Sequence, residues 1–206
     1  MVNLDKAIEV AVSVMGESLK KFDYKDKEKY AQFLAQTFHY VSHSTRLLAF
    51  AAGVMPLDNT QYFRRYVDHI SEEKGHENIA KKDLELFGFD MAKFPELSCT
   101  KMFWEPQYFK IQHQDPIALM GYIIALEVFS AQCFPAFYKD LQATYDEKVL
   151  RFVKIHAEED QDHIVKAIDL VKNLSEDRMK LVVDNIHQTG FGYSLMLDSI
   201  MDGVSI

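Results

Sequence analysis

Apolar residues recur along this chain at intervals of three and four positions, the spacing that places side chains on one face of an α-helix. Leu4, Ile8, Val12 and Met15 give the first example, in a helix predicted over residues 3–22. Strand signals are nearly missing from the sequence, because no Asn-Gly or Asp-Gly turn separates two alternating apolar runs. The pattern therefore predicts an all-α protein.

The same periodicity, read with its start and stop signals, predicts six further helices. They cover about residues 27–53, 58–87, 107–113, 115–143, 146–173 and 175–201. The stretch 89–106 contains two prolines and is expected to be an irregular loop. Connections this short favour a single domain over residues 1–206, folded as a bundle of seven helices.

Composition narrows the class of function. The formal net charge of −8 and the lack of a basic cluster argue against a nucleic-acid partner. Cys99 and Cys133 make neither a disulfide framework nor a cysteine zinc motif, so a reducing cytoplasm is the simplest compartment. We expect no membrane partner, because no uncharged apolar run reaches the roughly 18 residues that a spanning helix needs.

Glu127 is the only charged residue between Pro116 and Tyr138, the most apolar stretch of the chain. A carboxylate buried in such a helix should be neutral, paired or bound to a metal ion. The sequence leaves open the plainer alternative, a glutamate bonded to a neighbouring helix or to an internal water.

Two other predicted helices carry candidate ligands. Glu73 and His76 form a Glu-x-x-His pair, the i, i+3 spacing by which one helix of a bundle can grip iron or manganese. His156, Asp160 and His163 stand at i, i+4 and i+7, within roughly 60° of one helical face. For both groups the alternative is a charged, solvated helix surface.

Together these helices offer three carboxylates and three imidazoles without a thiolate, a set that suits Fe(II) or Mn(II) and not structural zinc. Six ligands suit two metal ions that share a bridging carboxylate. A ferritin-like bundle is the alternative scheme, but it needs two Glu-x-x-His pairs and two further glutamates, and it leaves His156 without a role.

In this order, Glu-x-x-His, an isolated helical Glu and His-x-x-x-Asp-x-x-His resemble the ligand pattern of the heme-oxygenase-like diiron oxidases and oxygenases. These are iron-containing redox enzymes of the heme oxygenase/TenA-like superfamily. The likeness extends to the segments 39–44, 72–88 and 121–127, and so spans most of residues 35–175. It implies a seven-helix heme-oxygenase-like bundle.

The resemblance also implies a chemistry. Members bind two iron ions that cycle between Fe(II) and Fe(III), use O₂ as co-substrate and oxidise a small organic molecule. The implied ligands are Glu73, His76, Glu127, His156, Asp160 and His163. Glu127 is the residue expected to bridge the two ions and to act in catalysis, and Glu72 could replace Glu73. A homodimer is an expectation by analogy only.

His39, His43 and Tyr122 are expected to support the ligands or to contact substrate, although histidines that simply hydrogen-bond within a core are common. Two other functions stay open. A thiaminase-II (TenA)-type hydrolase would share the fold and use a cysteine nucleophile, for which Cys133 is the candidate. A non-enzymatic helical binding protein would leave the six predicted ligands scattered or facing solvent.

Overall fold

In the computed structural model of the protein, residues 3–158 and 161–203 are described, except for the side chains of residues 161–163. These residues form ten α-helices and no strand. The helices are α1 (Leu4–Lys21), α2 (Lys27–Val41), α3 (Ser44–Val54), α4 (Thr60–Glu73), α5 (His76–Leu86), α6 (Ser98–His113), α7 (Leu119–Gln142), α8 (Arg151–Glu158), α9 (Gln161–Val171) and α10 (Glu176–Asp202).

The first and last helices pack along each other. Asn3 begins α1 by accepting a hydrogen bond from the backbone N–H of Lys6, which satisfies one donor of the first turn. Gly190 brings α10 against this helix so closely that a β-carbon there would lie 2.9 Å from the α-carbon of Ala11. The predicted helices 3–22 and 175–201 are thus confirmed to within about two residues.

Helix α7 is the central helix and packs against α1, α8 and α10. It belongs to the stretch Pro116–Gln142, which is long and apolar enough to cross a membrane. Of the most apolar 18-residue window in this stretch, however, 72% is buried inside the protein. The apolar character of α7 is therefore explained by its place in the core of the bundle.

Two predicted helices prove to be pairs of helices, since 27–53 is α2 and α3, and 58–87 is α4 and α5. Within the predicted helix 146–173 the structure describes α8 and α9. Periodicity alone missed the junctions, because the apolar faces continue across them. Gly75, with φ +94° between α4 and α5, gives a physical reason for one junction, since a left-handed residue cannot continue an α-helix.

The predicted loop 89–106 was wrong from Ser98 onward, where α6 begins and continues through Pro106. The start of α6 is held from another helix. Gln36 accepts hydrogen bonds from the Leu97 N–H at 3.0 Å and from the Thr100 hydroxyl at 2.7 Å. Because this cap comes from α2, no local signal announces the helix.

Candidate functional site

A cavity opens between helices α2, α3, α4, α7, α8 and α10. The cavity volume is about 80 Å³, enough for several waters or a small organic molecule. Most of the wall is apolar, from residues such as Leu47, Leu119 and Phe134. Histidine and carboxylate side chains interrupt it, and these are His69, Glu73, Glu127 and His156.

Glu127 projects from the middle of α7 toward two basic side chains of α4. Its Oε1 atom lies 3.1 Å from Nε2 of His69 and 3.6 Å from a terminal guanidinium nitrogen of Arg65. The other terminal nitrogen of Arg65 donates to Glu72 at 2.8 Å. Glu127 is therefore paired with a neighbouring helix, the plainer alternative that the sequence left open.

Glu73 lies at the end of α4 and joins two histidines. Its carboxylate oxygens lie 3.4 Å from Nε2 of His69 and 3.5 Å from Nδ1 of His76. Because Gly75 separates α4 from α5, Glu73 and His76 do not share one helix as predicted, yet the turn keeps them adjacent. Glu73 lines the cavity, whereas Glu72 pairs with Arg65, so the geometry favours Glu73 as the candidate ligand.

His156 reaches the same region from α8. Its Nδ1 atom donates to the backbone carbonyl of Phe152 at 2.8 Å, which leaves the lone pair on Nε2. The His156 and His76 rings are 5.0 Å apart between centroids. Asp83 of α5 positions this helix by accepting the Phe152 N–H at 2.7 Å in its first turn.

Burial and charge act against each other on these groups. Burial alone would lower the pKa of His69, but the hydrogen bonds and negative charges of Glu127 and Glu73 raise it to about 9. Burial would raise the pKa of Glu73, but hydrogen bonds with His69 and His76 hold it well below its usual range. Burial lowers the pKa of His156 despite the nearby Glu73 carboxylate. At neutral pH the centre of this network is a carboxylate–imidazolium pair.

Four of the six predicted ligands thus come together in the structure, and they are Glu73, His76, Glu127 and His156. The other two predicted ligands, Asp160 and the side chain of His163, lie outside the described residues. That they share one helical face with His156 therefore stays a prediction.

Within the described part of the chain, no three His, Cys, Asp or Glu side chains are already arranged to hold a metal ion. The physical reason is that Arg65 and His69 face the oxygens of Glu127 and Glu73. The donor chemistry still suits iron, because carboxylate and imidazole groups converge without a thiolate. Among the described residues, moreover, the buried Oε2 of Glu127 has no hydrogen-bond partner, as expected of an oxygen that a cation could bind.

The predicted supporting residues divide between two places. Tyr122 lines the cavity, but His39 and His43 are not among its described lining residues. His39 donates to the backbone carbonyl of Phe94 at 3.2 Å. His43 bonds to the Tyr108 hydroxyl at 3.1 Å and stacks on Trp104. His39 thus packs α2 against the segment before α6, and His43, between α2 and α3, packs against α6 itself.

Sequence reasoning missed Arg65 and His69, which the structure places at the centre of the network. A signal was present, because His69 precedes Glu73 by four positions and therefore shares its helical face. The signal is weak, because basic residues on a helix rich in charged residues are ordinarily solvated. Besides their partners Glu72 and Glu73 on α4, Arg65 and His69 are drawn into the core by Glu127, which approaches them from α7.

Cys133 has the environment of a packing residue. Its Sγ atom lies 3.4 Å from the position that a β-carbon on Gly16 would take, between α7 and α1. Burial raises the pKa of its thiol, and the nearby Lys20 opposes this only in part. Cys133 is not among the described residues that line the cavity.

Residues 31–189 match the sequence profile of a family described as iron-containing redox enzyme. No curated protein sequence matches the chain. The matched segment covers well over half of the chain and includes all six predicted ligands.

Solved structures share the fold at low sequence identity. A domain of unknown function with a heme oxygenase-like fold from Shewanella denitrificans OS217 has a TM-score of 0.86 and 19% identity, covering 98% of this chain and 94% of its own. A TenA homolog from Pseudomonas syringae pv. tomato DC3000 has a TM-score of 0.78 and 11% identity. The match covers 96% of this chain and 92% of that one. A TenA homologue from Pyrococcus furiosus has a TM-score of 0.75 and 9% identity. The match covers 95% of this chain and 98% of that one. The bundle is therefore heme oxygenase-like, as the sequence predicted.

Proposed function

This chain belongs to the iron-containing redox enzyme family, and we propose that it acts as a non-heme diiron oxidase or oxygenase. The observation that carries the proposal is the meeting of Glu73, His76, Glu127 and His156. They come from four different helices, α4, α5, α7 and α8, and gather beside one cavity. Buried carboxylates and imidazoles are costly unless they are paired or bound to a metal ion.

In this proposal the iron ions are held by Glu73, His76, Glu127, His156, Asp160 and His163. Bound iron would supply the redox chemistry that activates O₂, since such chemistry belongs to the cofactor. Mn(II) suits the same donor set.

The chain's own residues set the conditions for that chemistry. Glu127 would be the central carboxylate ligand, because in mid-α7 one of its oxygens already faces two side chains of α4. The Phe152 carbonyl fixes the His156 tautomer and so presents Nε2, as outer hydrogen bonds do for metal-binding histidines. The apolar cavity wall limits access of water to the site.

The substrate in this proposal is a small organic molecule that enters the cavity. A reducing, cytoplasmic location is consistent with the two cysteines, which are free thiols in the structure. In such a compartment iron would be available to these residues as Fe(II).

The proposal is tested by loading the protein with Fe(II) without oxygen and measuring iron after desalting. We expect about two irons per chain, and a transient visible absorption when O₂ is admitted with a substrate. His163→Ala should remove at least one iron, whereas His113→Ala, at an exposed histidine of α6, should remove none. Less than one iron per chain, unchanged by His163→Ala, would contradict the proposal.

The TenA-type hydrolase remains the second candidate, because two solved structures with this fold are described as TenA homologues. It would require Cys133 to act as a nucleophile, although its thiol pKa is raised and it does not line the described cavity. Cys133→Ala separates the two functions. Under the diiron proposal the variant keeps its iron and its O₂ reaction, and a hydrolase would lose its activity.

A further inference from the structure

Helix α5 contacts α8 through two polar side chains on one of its faces. His76 and Asp83 are seven positions apart, about two helical turns, and Asp83 is fully buried. The ring centroids of His76 and His156 are 5.0 Å apart, and a carboxylate oxygen of Asp83 accepts the Phe152 N–H at 2.7 Å. One face of α5 therefore meets α8 both at a proposed ligand and at its first turn.

The start of α8 depends on the Asp83 carboxylate. The first N–H groups of a helix have no partner within it and need an acceptor from elsewhere. Leu150, the residue before α8, has no side-chain oxygen that could serve. Burial raises the pKa of Asp83 to about 6, and hydrogen bonds from the backbone N–H groups of Phe152 and Arg151 oppose this rise. A helix of only eight residues needs such tertiary contacts to be stable.

Phe152 connects this carboxylate to His156. Its N–H donates to Asp83, and its carbonyl oxygen accepts from Nδ1 of His156 at 2.8 Å, one turn further along α8. The Phe152 ring also packs on the His156 ring, with centroids 4.1 Å apart, and both residues line the cavity. A shift of Phe152 would therefore change two contacts of this imidazole at once.

The tautomer of His156 decides which of its atoms can bind a metal ion. Burial lowers the pKa of His156, so the ring is neutral at neutral pH. A neutral imidazole binds a metal through the nitrogen without hydrogen, and the bond from Nδ1 to the Phe152 carbonyl leaves that role to Nε2. Removing the groups that fix such a histidine typically weakens metal binding by roughly 10- to 100-fold.

We propose that Asp83 is a positioning residue of the metal centre: by accepting the Phe152 N–H it fixes the carbonyl that holds His156 in the tautomer with a free Nε2. The inference rests on the proposed function in one respect, that His156 binds a metal ion. Asp83 acts through Phe152 and is not itself a ligand.

A double-mutant cycle with Mn(II) as the probe tests this path. The EPR signal of free Mn(II) gives the dissociation constant for the wild type, Asp83→Ala, His156→Ala and the double variant. We expect Asp83→Ala to weaken Mn(II) binding about tenfold. In the His156→Ala background the same substitution should change the dissociation constant by less than about twofold, because the residue through which Asp83 acts is gone.

A conservative variant and a matched control accompany the cycle. Asp83→Asn keeps an oxygen that can accept the Phe152 N–H, so its dissociation constant should stay within about threefold of the wild type. Asp26→Ala removes a carboxylate that caps α2, a helix without a proposed ligand. It should lower the melting temperature and leave Mn(II) affinity unchanged. If Asp83→Ala does not fold, Asp83→Ser, which keeps a small polar group at the buried position, replaces it in every comparison.

The metal-free protein gives a readout that a merely structural role would not change. Heteronuclear NMR of the histidine side-chain nitrogens distinguishes the two neutral tautomers, and His156→Ala identifies the signal of His156. The wild type should show the Nδ1–H form, and Asp83→Ala a mixture of both forms. An unchanged tautomer in Asp83→Ala would overturn the inference, as would a loss of Mn(II) affinity that is equally large in the His156→Ala background.

The same samples separate this inference from the proposed function. If Mn(II) binds equally well to the wild type and to Asp83→Ala, Asp83 has no positioning role and the proposed metal centre stands. If Mn(II) does not bind to the wild type and the tautomer changes in Asp83→Ala, Asp83 does position His156 but the proposed metal centre is wrong.

Discussion

Arg65 and His69 provide the positive charge that faces the carboxylates of Glu72, Glu73 and Glu127 at the edge of the core. Only 10% of the Arg65 side chain and 5% of the His69 side chain are exposed. In so little contact with water, the interactions between these groups are weakly screened. The network therefore balances the carboxylates in the place proposed for the iron ions.

Replacing Arg65 tests this balance. Arg65→Met leaves Glu127 and Glu72 without the guanidinium, and we expect a loss of about 3 kcal/mol in the free energy of unfolding, since unpaired buried charge is costly. Arg64→Met, at the exposed neighbouring position, should change it by less than about 0.5 kcal/mol. Chemical denaturation of the metal-free protein gives both values. Equal losses in the two variants would show that Arg65 has no special role.

Asp83 shows how a single buried carboxyl couples stability to pH. Burial raises its pKa to about 6, although the Phe152 N–H and the nearby Arg151 act in the opposite direction. The folded state therefore holds this proton more tightly than the unfolded state, whose pKa is near 3.8. The contribution of Asp83 to stability is thus greatest in acid and is lost as the pH rises from about 4 through about 6.

Asp83→Asn should remove this part of the pH dependence and keep an oxygen that can accept the Phe152 N–H. Between pH 4 and 7 the difference in unfolding free energy between variant and wild type should shift by about 2–3 kcal/mol in favour of the variant. Thermal unfolding at several pH values measures it. Asp140→Asn, at an exposed position of α7, is the control. If the stability of Asp83→Asn changed with pH in parallel with that of the wild type, Asp83 would not be the source of this pH dependence.

At the scale of helices, the junction between α4 and α5 determines how two of the site residues are placed. The break between α4 and α5 turns the chain so that Glu73 ends one helix and His76 begins the next, 3.5 Å apart. The break depends on the left-handed conformation of Gly75, which costs other residues about 1–2 kcal/mol. A glycine that breaks a predicted helix is here part of the site.

Gly75→Ala should therefore lower the free energy of unfolding by about 1–2 kcal/mol. Gly53→Ala is a matched control, since Gly53 lies within α3 and an added β-carbon would meet nothing within 4 Å. That substitution should be neutral or stabilise the protein by up to about 1 kcal/mol, because alanine favours the helix. Urea unfolding decides the question, and an equal response of the two variants would contradict the role of Gly75.

At the scale of the whole molecule, the site ties together helices from both halves of the chain. Residues of α4 and α5 meet those of α7 and α8, and Asp83 joins α5 to the start of α8. An ion bound between these helices would be linked to the global fold, because it binds the folded state and not the unfolded chain.

Mn(II), which is stable in air, tests this linkage without any turnover. At about 100 times its dissociation constant it should stabilise the protein by about 2.7 kcal/mol, visible as a higher melting temperature. His156→Ala should abolish most of that gain, and His113→Ala should leave it intact. A melting temperature that does not change with Mn(II), or that rises equally in His156→Ala, would argue against a metal centre at these residues.

Local patterns in the sequence were enough to predict the all-α class, most of the helical units and the isolation of Glu127, because helical periodicity and buried charge depend on neighbouring residues. They also singled out Glu73, His76 and His156, which the structure brings together. The start of α6 was decided by a tertiary contact, the hydrogen bonds that Gln36 of α2 accepts there. The breaks at Ser42–His43 and Lys74–Gly75 became visible only in the structure, the second through the left-handed conformation of Gly75. Only the tertiary structure could pair Arg65 and His69 with Glu127, or gather Glu73, Glu127 and His156 around one cavity, because each fact depends on which helices pack together.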